Sequence, residues 1–136
     1  MKNNKLIELS PEMLENLNFD KHNGIQPFSR EIFLLDIKVS GTAYRNELPD
    51  LLPRITPGTL LKTLREPDNE YDPQAIALYL DKVKIGYVPR HKNEIISRLM
   101  DSGKVIVAKV ESCEILPEVI FPGDSAIIRA KLYLVD

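Results

Sequence analysis

The sequence predicts a small, mainly β protein: six strands rolled into a closed or partly closed barrel, with one or two short helices. Three observations carry this expectation. Six stretches of strand length are bounded by polar turns, and most alternate apolar and polar residues. Proline, glycine and Asp/Asn turn signals separate them at short spacing. Helical patterns do not alternate with the strands, which argues against a doubly wound parallel sheet and for a barrel. With 136 residues, 43% of them hydrophobic, the chain is long enough for one domain around one core.

In chain order, residues 1–30 are read as an N-terminal extension with a short helix, and 31–136 as the barrel domain. Ser10-Pro11-Glu12 joins a capping serine, a proline suited to the first helical position and an acid for the first turn. Met13, Leu14 and Leu17 give that helix an apolar face, which either packs on the barrel or docks a partner protein. The first strand covers 31–40, with Phe33, Leu35, Ile37 and Val39 on the inner face and Asp36, Lys38 and Ser40 on the outer. Gly41 permits a bulge or a close backbone approach as the chain leaves the strand. Pro49, Pro53 and Pro57 make 48–57 a loop or a short helical turn. A second strand, 59–64, feeds a polar loop. The strands 75–80 and 83–88 form a hairpin about Asp81-Lys82, which lacks the glycine common in such turns. A helix over 91–101 should turn Ile95, Ile96, Leu99 and Met100 to the core and stop at a left-handed Gly103. The last two strands are 104–112 and 126–135, joined by a proline-bearing loop over 116–124. Ile106, Ala108, Val110, Ile128, Ala130, Leu132 and Leu134 should face inward.

Composition narrows the function. The net charge of -2 gives no global basic footprint, so any affinity for nucleic acid must be local. One cysteine and two histidines exclude a disulfide framework and a Cys/His zinc site. No signal-peptide pattern and no apolar run of about 20 residues occur, so a cytoplasmic protein without a membrane span is expected. No nucleophile elbow, HExxH motif or phosphate-binding glycine loop is present. His91 reads as a solvated residue at a helix start and Cys113 as a packed one. Neither a catalytic residue nor a cofactor is expected.

The most informative stretch is the loop Arg65-Glu66-Pro67-Asp68-Asn69-Glu70-Tyr71-Asp72-Pro73-Gln74-Ala75-Ile76. Each proline fixes its own φ and pushes the residue before it toward extended geometry, so the loop is stiff. As a calcium loop starting at Asp68 it fails, because Pro73 falls where glycine is needed and Tyr79 where glutamate is needed. Together with Gly41-Thr42-Ala43-Tyr44, Pro57-Gly58 and Ile85-Gly86-Tyr87-Val88-Pro89-Arg90, this loop resembles the HIRAN domain family. The resemblance covers about residues 32–136 and implies an OB-like barrel that occurs alone in bacteria and phages and fused to remodelling helicases in eukaryotes. In the helicase-linked members it implies capture of a single-stranded 3′ end, with tyrosines stacking the last bases and the aspartate of a Tyr-Asp pair on the terminal hydroxyl. Tyr44, Asn69, Tyr71 and Asp72 occupy matching positions. Ala43 departs from a basic residue and Tyr87 from a histidine, while Arg90 matches a basic position.

The residues themselves support that expectation. Between 82 and 98 lie Lys82, Lys84, Arg90, Lys92 and Arg98 against one acid, Glu94, and Arg45, Lys62 and Arg65 extend the basic set if the loops converge. Tyrosines among basic residues suit single strands, because every base offers a flat face to stack on. Tyr79 and Tyr133 read as core or rim, whereas Tyr44 and Tyr71 read as stacking platforms. A carboxylate such as Asp72 accepts a hydrogen bond from a terminal hydroxyl and repels a phosphate at the same spot. The candidate DNA-binding residues are therefore Tyr44, Arg45, Arg65, Asn69, Tyr71, Asp72, Tyr87, Arg90 and Lys92. The expected partner is single-stranded DNA or a DNA end. Two rivals stand beside it: a peptide-binding domain using the same groove or a sheet edge, and a metal-dependent enzyme of DNA ends using Asp68, Glu70 and Asp72.

Overall fold

A computed structural model describes residues 30–116 and 126–136. The expected helix after Ser10 and all but the first residue of the expected loop over 116–124 lie outside these residues. The described chain forms six strands, β1 (Glu31–Lys38), β2 (Leu60–Arg65), β3 (Ile76–Leu80), β4 (Val83–Tyr87), β5 (Val105–Ile115) and β6 (Ala126–Val135), and two helices, α1 (Leu48–Leu51) and α2 (Glu94–Asp101). Short 3-10 turns occupy Thr42–Tyr44, Leu52–Arg54 and Arg90–Lys92. None of the described helices is long and apolar enough to cross a membrane.

All six strands join one antiparallel sheet in the order β1-β6-β5-β2-β3-β4. Within β2 the pairing passes from one neighbour to the other: its first half pairs with β5 and its second half with β3, Lys62 sitting opposite both Val107 and Tyr79. It does not close into a full barrel. Ser40, just past β1, and Tyr87, the last residue of β4, form an isolated bridge between the two edge strands, exchanging two backbone hydrogen bonds of 2.9 and 2.8 Å. Gly86 permits that approach, since a Cβ there would lie 2.5 Å from both Ser40 O and Val39 Cγ1. The core between the walls holds Ile37, Val39, Leu61, Ile76, Leu78, Ile85, Ile96, Ala108, Ile128 and Leu132.

Most of the predicted alternation holds, and two residues depart from it. Phe33 was expected inside but is 50% exposed. A bulge explains this: Phe33 faces Tyr133 and Leu35 faces the next residue of β6, Leu132, so Leu34 is the extra residue and the pattern changes face there. Phe33 instead meets Tyr133 edge-on outside the core, with ring centroids 5.8 Å apart. Ile95 was also expected inside and is 63% exposed. The α-helix starts at Glu94, after the 3-10 turn, and its buried stripe runs through Ile96 and Ser97, flanked by buried Asn93 and partly buried Met100. Ile95 lies beside that stripe. The helix ends as expected: Gly103 (φ +100) donates to Met100 O and Lys104 to Leu99 O, which satisfies two carbonyls of the last turn.

Candidate functional site

Two segments meet beside the Ser40–Tyr87 bridge. The first runs from Gly41 through the 3-10 turn to Arg45, where Tyr44 N–H donates to Gly41 O and Arg45 N–H to Thr42 O. The second is the proline loop between β2 and β3. It is built from two successive turns, Glu66–Asn69 and Asp72–Ala75, closed by hydrogen bonds of 3.0 Å, with Pro67 and Pro73 each at the second position, where a fixed φ suits the turn. Asn69 Oδ1 accepts from the N–H groups of Tyr71 and Asp72 at 2.9 and 3.0 Å, which ties the middle of the loop.

Between these segments and the end of β4 lies a cleft of about 570 Å³ lined by Ser40, Gly41, Tyr44, Arg45, Asn69, Tyr71, Asp72, Ala75, Tyr87, Val88 and Arg90. Seven of the nine residues singled out in the sequence are thus brought together. Tyr44 and Tyr71 are 79% and 77% exposed, with large ring areas open to solvent. Asp72 is half-buried; its Oδ1 accepts from Gln74 N–H at 2.9 Å and its Oδ2 from Asn93 Nδ2 at 2.8 Å. Arg90 is exposed, and Arg45 carries a buried Nε–H with no acceptor among the described residues.

The other two residues lie elsewhere. Arg65 does not line the cleft. Its guanidinium holds Asp101 through Nε (2.8 Å) and Nη2 (3.2 Å), Ala75 O through Nη1 (2.8 Å) and Pro73 O through Nη2 (3.1 Å). It therefore ties the exit of the loop to the end of α2. Lys92 also lies outside the cleft, with its Nζ on Asp36 O at 2.8 Å.

Three residues outside the cleft lining hold residues of that lining, in roles the sequence did not show. Glu66, read as one member of an acidic run, accepts from Asn69 Nδ2 (3.0 Å) and Tyr87 Oη (2.8 Å) on Oε1 and pairs with Lys84 Nζ on Oε2 at 2.6 Å. Lys84 Nζ also lies 3.1 Å from Tyr87 Oη and 5.1 Å from its ring centroid. Burial opposes the charge on Glu66, but the hydrogen bonds from Lys84, Asn69 and Tyr87 outweigh it and hold the carboxyl below its ordinary value. The Lys84 ammonium is held above its ordinary value chiefly by its hydrogen bond to Glu66. Asn93 is the third; the helix expected over 91–101 places it inside that helix, where nothing in the sequence singles it out. Among the described residues, no three His, Cys, Asp or Glu side chains cluster as a metal site would require, so Asp68 and Glu70 do not converge on Asp72.

The family model described as the HIRAN domain matches residues 32–131. The chain belongs to the HIRAN domain family. That family is one of DNA-binding modules, not of catalysts. Two solved structures share this HIRAN fold. A Lactobacillus plantarum protein determined as a structural-genomics target matches with a TM-score of 0.66 and 24% identity, over 79% of this chain and 98% of its own. The HIRAN domain of human HLTF matches with a TM-score of 0.57 and 15% identity, over 77% of this chain and 78% of its own. At those identities the likeness is one of fold. No curated protein matches the chain. The HIRAN match spans both segments that line the cleft and the β4 end between them.

Proposed function

We propose that this HIRAN domain binds single-stranded DNA in the cleft, and that it prefers a free 3′-hydroxyl end. The observation that carries this reading is the arrangement of Tyr44, Tyr71 and Asp72: two open aromatic rings on opposite segments flank one carboxylate held at the cleft wall. Bases of a single strand stack on the rings, which suits any sequence. Arg45 and Arg90 supply local positive charge for the backbone phosphates in a chain whose net charge is -2. Asp72 accepts the hydrogen bond of the terminal hydroxyl with a lone pair its two protein partners leave open. A phosphate in that place would meet the carboxylate charge at close range, so a continuous strand or a phosphorylated end is disfavoured. Arg65 serves by bracing the loop rather than by touching the strand.

Fluorescence anisotropy with a short labelled strand tests this, with the label at the 5′ end and the 3′ end either a hydroxyl or a phosphate. The hydroxyl end should bind more tightly, and both should weaken as salt rises. Equal affinity for the two ends would remove end recognition and leave general single-strand binding. No binding to either would remove the reading altogether. No specific contact of the cleft favours a peptide over a nucleotide.

A further inference from the structure

We infer that Asn93 is the positioning residue that aims the Asp72 carboxylate, a role that rests on the end recognition proposed above. Asn93 is 1% exposed and immediately precedes α2, but its backbone (φ -93, ψ -10) continues the helical course of the 3-10 turn instead of the extended one from which an asparagine side chain caps the first helical N–H groups. It makes no capping hydrogen bond. Its amide turns away and donates through Nδ2 to Asp72 Oδ2 at 2.8 Å. The turn leaves Asn93 Oδ1 buried without a partner among the described residues. Reversing the amide would set Oδ1 against an ionised carboxylate oxygen, so the Asp72 charge dictates the orientation. Asn93 thus strands a buried acceptor, which costs stability. What it gains is a second anchor on Asp72. Gln74 N–H holds Oδ1 and Asn93 holds Oδ2, so the carboxylate is fixed at both oxygens and its rotation is blocked. A fixed carboxylate holds both its open lone pair and its charge at one point, so the bond to a hydroxyl and the repulsion of a phosphate there both depend on the anchor.

The test replaces Asn93 by serine, which stays polar but is too short to reach Asp72. Asn93→Thr, a second short hydroxyl residue, gives an independent copy. The preference for a 3′-hydroxyl over a 3′-phosphate should fall about three- to tenfold, the range one hydrogen bond commands. In the Asp72→Ala background the same substitution should change nothing further, because Asn93 acts only through Asp72. A lower melting temperature with equal loss of affinity for both ends would mean a structural role and overturn the inference. The DNA-free protein gives a second readout, the three-bond couplings about χ1 of Asp72. One rotamer is expected in the unsubstituted protein and averaging in Asn93→Ser. A single rotamer in both would overturn the anchoring. Averaging in Asn93→Ser together with no end preference in the unsubstituted protein would overturn the end recognition and leave the anchoring standing.

Discussion

Tyr71 and Asp72 are neighbours in the chain, and the proposed function gives them opposite tasks. The ring of Tyr71 lies open to solvent, while Asp72 is half-buried and held at both oxygens. Removing the ring and removing the charge should therefore read differently. Tyr71→Ala is expected to weaken hydroxyl and phosphate ends alike by about 1–3 kcal/mol, the worth of one stacked base, measured by anisotropy at fixed salt. A loss confined to one end would reassign Tyr71 to end recognition. The sequence placed the pair at one site because an aromatic and an acid stand side by side in a stiff loop, and both do line the cleft. Asn93 was not legible there, because its partner is 21 residues away and the helix expected over 91–101 enclosed it. Arg65 was legible as a cation but not as a brace, since its partners include the carbonyls of Pro73 and Ala75, which a pattern of side chains does not display.

At the scale of elements, the proline loop is held by its neighbours as well as by its own turns. Arg65 joins its exit to α2 with a planar fork, two of whose bonds go to backbone carbonyls. Lysine keeps the charge but offers one compact donor group, so it cannot reach all three partners together. Arg65→Lys is thus expected to destabilise the domain by about 1–3 kcal/mol, since carbonyl acceptors lose charged donors, and to weaken DNA binding although Arg65 lies outside the cleft. Urea denaturation alongside anisotropy separates the two effects, and unchanged stability would deny the bracing role. The same scale shows where sequence pattern succeeds and where it stops. Alternation placed β6 and the inner face of β5 correctly because every inward residue there meets a continuous core. It misplaced Phe33 because one extra residue, Leu34, flips all that precedes it to the other face. It placed Ile95 in the core because the helix was started too early, on residues that form a 3-10 turn.

For the molecule as a whole, electrostatics sets two expectations. Glu66 and Lys84 link the proline loop to β4, and their shifts define a pH window. The Glu66 value lies below the ordinary 4.5, so its contribution to stability is present above that pH and is lost as pH falls through the depressed value. The Lys84 value lies above the ordinary 10.5, so its contribution is present below that pH and is lost as pH rises through the raised value. Thermal melting across pH should accordingly show Glu66→Gln narrowing its deficit against the unsubstituted protein toward acid pH, where Glu66 is protonated in any case. A deficit constant from neutral to acid pH would mean that the charge of Glu66 is not what matters. Binding follows a different rule. With a net charge of -2 the molecule as a whole repels DNA weakly, so the proposed binding draws its attraction from Arg45 and Arg90 at the cleft. Each phosphate neutralised on a single strand contributes about -0.7 to the slope of log affinity against log salt. Two contacts give a slope of about -1.4, and Arg90→Ala should reduce its magnitude by about 0.7. Anisotropy titrations at several salt concentrations measure this directly. A slope near zero would point away from phosphate contacts and toward an uncharged partner in the cleft, whereas an unchanged slope in Arg90→Ala would transfer the second contact to another cation.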